Sequence, residues 1–194
     1  MNYATLCIFF VVAGVASASP TTYIIDPNHT HPMFEADHLD GVSIWRGLFK
    51  KTSGTIVLDS AARTGTLDVA VEMASVDFGN DELNAVAVNS SAPPIFEAQK
   101  YPTAYYRGTL GDFVNGSPTT VTGLLTLHGV TKPITLAINS FKCIDDKPSP
   151  KQQLCGADAF CMLNRADFGI TVGQRYGFRM GVTLRIQVEA IRAE

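Results

Sequence analysis

The clearest hydrophobic rhythm in the chain is VTGLLTLHGVTKPITLAIN, residues 121–139. Two runs of alternating apolar and polar residues flank a polar turn at 129–132, which predicts two antiparallel strands. With a four-residue turn, Leu127 faces Ile134, Leu125 faces Leu136 and Gly123 faces Ile138, all on one side of the pleat. Thr122, Thr126, Thr135 and Asn139 take the other side, interrupted by Leu124 and Ala137. A sheet that is apolar on one face must close over that face or be covered.

The same alternation predicts strands at 22–26, 32–39, 44–51, 54–58, 66–75 and 103–110. Phe34, Ala36 and His38 share one face of the second of these, and Trp45, Gly47 and Phe49 share a face of the third. The longest alternation is at 178–189, where Phe178, Met180, Val182, Leu184, Ile186 and Val188 oppose polar or small neighbours. The pattern breaks after Asp77, where Asn80 or Asp81 can cap a short helix ending near Val88 and residues 95–99 suggest one more helical turn. Eight to nine strands on short turns predict an all-β fold: an eight-stranded antiparallel, up-and-down barrel with one short helical insertion. Such a barrel either fills with its own side chains or holds one slim ligand. The inward set is aliphatic, with Gly47 and Gly123 among the large residues, and it suits a lipid-like tail or a plain core equally well.

Composition narrows the class. The chain has 194 residues, one domain's worth, and a formal charge of −3, which offers no basic stripe for nucleic acid. Residues 3–18 are apolar or small, end in Ala16-Ser17-Ala18, and fall short of the about 20 residues of a membrane span. Residues 1–18 therefore read as a cleaved export signal, with residues 19–194 as the barrel domain. Met1–Thr5 lacks Lys and Arg, so an uncleaved anchor is the alternative. Cys143, Cys155 and Cys161 follow the signal. The first two bracket a polar loop, where a disulfide would staple a hairpin; the alternative is three buried thiols. Closing a loop of about 13 residues contributes roughly 3 kcal/mol. With Cys143 opposite Cys155, an unbroken register turns Phe160, Met162 and Asn164 inward beside Ile138, Leu136 and Ile134, and leaves Cys161 outside. A bulge would break that deduction.

His29-x-His31 with His38 is the most metal-like cluster, but no Glu or Cys stands at ligand spacing, and no metal site is expected. His38 on an apolar face is either a hydrogen-bonded core histidine or a contact for a ligand head group. His128 reads as a turn residue. Arg165 and Asp167 form either an ion pair at a strand end or, with Asn164, a contact for the polar end of a ligand. The chain has no G-x-S-x-G elbow, H-E-x-x-H helix, phosphate-cradling glycine loop or C-x-x-C, so binding rather than catalysis is expected.

The segments YIIDPNHTHPMFEADHL, RGLFKKTSGTIVLD, FEAQKYPTAYYRG, GLLTLHGVTKPITL and LNRADFGI, in that order, resemble the YceI-like family. The resemblance spans residues 23–194, and LTLHGVTKP with NR-x-DFG is its most specific part. It implies an exported, lipocalin-like barrel holding a polyisoprenoid, quinone-like or related amphiphilic chain in a central pore. Fatty acids or fatty amides are the alternative guests. It further implies no cofactor beyond that bound lipid, a periplasmic location, transient membrane contact and a homodimer. Two departures stand out: NAVAVNSSAPP replaces a charged stretch of many relatives, and the Cys143/Cys155 pair is not general in the family. The pore-lining candidates are Phe34, His38, Trp45, Phe49, Leu125, Leu127, Leu136, Phe160, Met162, Asn164, Arg165, Phe168, Met180 and Leu184.

Overall fold

A computed structural model describes residues 19–89, 94–145 and 153–193; the expected signal at 1–18 lies outside them. The strands are β1 (Thr21–Ile25), β2 (Met33–His38), β3 (Ser43–Phe49), β4 (Thr52–Asp59), β5 (Thr64–Glu72), β6 (Val76–Asp77), β7 (Thr103–Gly111), β8 (Thr120–Leu127), β9 (Val130–Asp145), β10 (Gln153–Asn164) and β11 (Gly181–Arg192). Eight of them close into an antiparallel barrel in the order β1-β4-β5-β7-β8-β9-β10-β11, sealed by β1 on β11. The twelve-residue β11 serves two partners: Ala190–Arg192 pairs with β1, while Val182–Arg185 pairs with β2. From there β2, β3 and β6 continue the sheet as a flap.

The helix predicted after Asp77 is α1 (Asp81–Asn89). Asn80 caps it by accepting the Leu83 N–H at 2.9 Å, and Asp81 and Glu82 lie at its positive end. The helical turn expected at 95–99 is an irregular bend instead, with Glu97 at φ +44°. The predicted last strand begins late, at Gly181, because Phe178 leaves the ladder to pack edge-on against His38, ring centroids 4.9 Å apart.

Two registers differ from the sequence reading. The β8–β9 turn has two residues, His128 and Gly129 (φ +52° and +76°), the left-handed pair that a tight hairpin requires. Gly123 thus faces Ile134 and Val121 faces Leu136. That slip is even, so the inward set survives it. The β9–β10 register is broken by a bulge. Cys155 pairs with Cys143, but past Asp158 opposite Ser140 the next pair is Ala159 with Ile138, leaving Asn139 extra. One extra residue reverses parity. Phe160 and Met162 consequently point outward, 37% and 77% exposed, and Cys161 points inward at 7%.

The core has two ends bridged by Leu184. One gathers Tyr23, Leu58, Leu110, Phe141 and Ala190 around the Cys143–Cys155 disulfide. The other gathers Phe34, Met73, Val76, Ala87 and Phe96 beneath α1 and residues 94–102, which cap the barrel. Among the described residues no helix is long and apolar enough to cross a membrane.

Candidate functional site: the barrel lumen

The lumen is built from inward cross-strand neighbours. One belt runs Ile56–Leu67–Gly108–Gly123–Ile134 across β4, β5, β7, β8 and β9. Ile138, Ala159 and Ile186 continue the apolar wall across β9, β10 and β11. Ile56, Leu67, Val69, Ile134, Ile138 and Ile186 are half-buried although strands flank them on both sides. Their side chains point inward, so the accessible area they keep faces the lumen.

The two glycines read as spacers for a guest serve the protein itself. A Cβ on Gly47 would stand 2.5 Å from the Phe34 ring, which occupies that space. Gly123 lets β7 come close: its Cβ would meet the Arg107 carbonyl oxygen at 2.2 Å and the Gly108 Cα at 2.6 Å. The Tyr106 ring lies over this thin patch and its hydroxyl leans on the carbonyls of Val121 (2.9 Å) and Ile134 (3.3 Å). Burial pushes the Tyr106 phenol well above its ordinary pKa, so it stays a hydrogen-bond donor. Burial likewise pushes the Cys161 thiol up to about 11.

The lumen is consequently narrow. Toward the disulfide end an apolar cavity of about 30 Å³ lies among Tyr23, Ile56, Leu58, Leu110, Phe141 and Val188. That holds no more than a few water molecules, so a long guest must displace inward side chains. A larger hollow, about 170 Å³, lies on the outer face between Lys142 and Glu189. Toward the cap, Phe34 meets Phe49, Phe78 and Phe96 at centroid distances of 5.7, 5.4 and 6.1 Å and fills the cross-section.

Of the residues singled out in the sequence, Leu125, Leu136 and Leu184 face the lumen, Phe34 and Phe49 form the aromatic plug, and Leu127 packs into the cap cluster. Met180 is half-buried just ahead of β11. Phe160 and Met162 are corrected to the outer face by the bulge. His38 stacks on Trp45 at 4.1 Å and is boxed by Phe178, away from the lumen's axis of aliphatics. Asn164 and Arg165 belong to a structural tie. The Asn164 side-chain Oδ1 accepts the Ala166 N–H, and Arg165 donates to the carbonyls of Ile170 (3.1 Å) and Val172 (2.7 Å), while the Asp37 charge favours its protonated form against the downward push of burial. Among the described residues Arg165 therefore bonds these carbonyls and makes no ion pair with Asp167. Phe168 is fully buried, and its carbonyl accepts from His128 Nδ1 at 3.1 Å. His128 Nε2 meets Glu97 at 2.5 Å, and its ring lies against Tyr101.

His29 is held by Asp26 (2.7 Å) beside Glu189 near the disulfide end, while His38 lies at the cap end, so the two cannot share a metal. Asp26 raises the His29 pKa, and His29 lowers that of Asp26. Sequence reasoning missed Tyr23 and Cys161 as interior residues. Tyr23 was legible as the apolar partner of Ile25 in a period-two strand, but Cys161 required knowledge of the bulge.

Comparison with known proteins matches residues 23–190 to the YceI-like domain model. A UPF0312 protein of Pseudomonas savastanoi pv. phaseolicola is 30% identical over 172 residues, covering 87% of this chain and 86% of that one. The Campylobacter jejuni YCEI protein superposes with a TM-score of 0.64 at 26% identity, over 79% of this chain and 88% of that chain. A polyisoprenoid binding domain from Saccharophagus degradans superposes with a TM-score of 0.62 over 89% of this chain and 99% of that one. Its 17% identity makes that likeness one of fold.

Proposed function

The chain belongs to the YceI-like family, and from that premise we propose that it is an exported carrier whose barrel takes up the apolar tail of a polyisoprenoid or quinone-like lipid. The observation that carries this reading is the aliphatic wall of the lumen, whose side chains remain half-buried. The fold shared with a polyisoprenoid binding domain supports the class of guest, and the disulfide suits an oxidising compartment such as the periplasm. Burying tail at about 0.8 kcal/mol per CH₂ makes each five-carbon unit worth about 4 kcal/mol when fully enclosed. That drive offsets the displacement of Ile and Val rotamers needed to widen the lumen, so binding and opening are one coupled step. This reading makes the lumen a binding site rather than a catalytic one.

Native mass spectrometry of protein purified from its own host tests the reading. A co-purifying lipid with an isoprenoid tail is the expected result. Protein that carries none and takes up neither polyprenol nor ubiquinone in vitro would overturn it, and uptake of fatty amides alone would redirect it to other amphiphiles.

A further inference from the structure

If the barrel carries an amphiphile, its polar head must rest at one mouth, and the two mouths differ. The cap end is shut by the Phe34–Phe49–Phe78–Phe96 cluster and by buried Phe168 and Ile170. The cation there, Arg165, already donates to the carbonyls of Ile170 and Val172. A head group reaching that end finds apolar rings and an engaged guanidinium.

The disulfide end is built differently. The 30 Å³ cavity lies there, lined only by apolar side-chain surface and the Tyr23 ring. One layer farther out, the inward positions turn polar together. Tyr23 pairs with Arg192 across β1 and β11, and Gln153 pairs with Asp145 across β10 and β9. The Tyr23 hydroxyl reaches over to Gln153 Oε1 at 2.5 Å, closing an arc of polar groups above the cavity. Arg192 lies close enough to lower the Tyr23 pKa against the upward push of burial. Among the described residues Arg192 has no ion pair and its guanidinium donates to no side chain or carbonyl. Asp145 stands two strands away along the arc, and among the described residues no ion pair joins it to Arg192. The Cys143–Cys155 bond fixes the two strands that carry the other side of the arc.

We propose that the disulfide-end mouth is the head-group site, and that Arg192, with the Tyr23 hydroxyl beside it, selects amphiphiles ending in a phosphate-type oxyanion. The proposal rests on the carrier reading above and deepens it. The tail enters first, past Tyr23, and stops against the aromatic plug; the head stays at the rim. A guanidinium binds a phosphate through two parallel, charge-assisted hydrogen bonds, and Arg192, exposed at the rim, can make that contact with a phosphate but not with a neutral hydroxyl on the same tail.

The test compares geranylgeranyl monophosphate with geranylgeraniol, both below their aggregation concentrations, by native mass spectrometry on the wild-type protein and on R192Q. The expected result is a wild-type preference for the phosphate of about tenfold or more. That preference should shrink with added salt and fall to near parity in R192Q. Equal binding of the two lipids by wild type, or an undiminished preference in R192Q, overturns the rim assignment while leaving the carrier reading intact. Binding of neither lipid overturns the carrier reading and the rim assignment with it.

Discussion

The bulge at Asn139 decides which of two neighbouring residues lines the barrel, and a matched pair of substitutions measures it. In Cys161→Ser a thiol that is 7% exposed becomes a hydroxyl facing aliphatic wall. An unsatisfied buried hydroxyl costs about 1–3 kcal/mol. In Met162→Ser a side chain that is 77% exposed is shortened in water, which costs about 0.5 kcal/mol or less. For a domain of this size the first change lowers Tm by roughly 3–10 °C and the second by about 2 °C or less. Urea denaturation of both variants, with unchanged m-values, gives the two free energies directly. Without the bulge the order reverses. Met162→Ser would then lose a buried side chain at about 2–4 kcal/mol, and Cys161→Ser would be nearly silent. A Met162→Ser protein less stable than Cys161→Ser would refute the register. Thiol kinetics give a second readout. With its pKa at about 11, Cys161 is thiolate in only about one molecule per thousand at pH 8, against about a quarter for a free thiol. Native protein should therefore react with a maleimide hundreds of times more slowly than unfolded protein, on charge grounds alone.

Three further outcomes are expected. Replacing Cys143 and Cys155 together with Ala removes a staple spanning 12 residues of sequence and lowers the unfolding free energy by about 3 kcal/mol; reductant should reproduce that loss in the wild type. His128→Asn keeps a residue tolerant of the left-handed turn but removes the contacts to Glu97 and the Phe168 carbonyl, at about 1–3 kcal/mol. Amide exchange should quicken across residues 94–102 while the barrel strands keep their protection. Asp77 accepts hydrogen bonds from the Gly79 amide, Asn84 and Lys50, which hold its carboxyl down to about 2. A depressed folded pKa contributes stability above the unfolded value, near 4, that is lost as pH falls through about 2. Tm should thus decline between those values in the wild type and decline less in Asp77→Asn.

How much of this was legible follows from parity. Alternation along 121–139 assigned the inward face of β8 and β9 correctly even with the wrong turn, because the true register differs by an even step. The same logic failed one hairpin later, where a single unpaired residue in β9 inverted Phe160, Cys161 and Met162. Nothing in Ile138-Asn139-Ser140 marks a bulge, since each residue suits a regular strand edge as well. The plug was hidden for a different reason. Gly47 beside large neighbours looks like room for a guest, and only the conformation of Phe34 shows that the room is taken. The β2–β3–β6 flap was invisible because periodicity reports which face is buried, never which strand lies next door.

The most specific family motifs, LTLHGVTKP and NR-x-DFG, place their distinctive residues at the cap rather than in the lumen, and their geometry explains why. LTLHGVTKP contributes His128 and Gly129, FEAQKYP contributes Glu97 and Tyr101, and NRADFG contributes Phe168 and Gly169; all six meet at the cap. Gly129 adopts φ +76° and leaves the space that Tyr101 fills, since a Cβ there would stand 2.6 Å from its ring. Gly169, at φ +76°, turns the chain so that the Phe168 carbonyl reaches His128 Nδ1. Each identity is demanded by a neighbour of fixed shape, so closure of the barrel is written in specific residues. The lumen is not. Ile56, Leu67, Ile134 and Ile186 could exchange places with Val or Leu and bury nearly the same area. The most specific part of the signature therefore identifies the closed end and says little about the guest. On the proposed carrier reading, discrimination between guests falls to the polar residues at the disulfide end, Tyr23, Gln153 and Arg192.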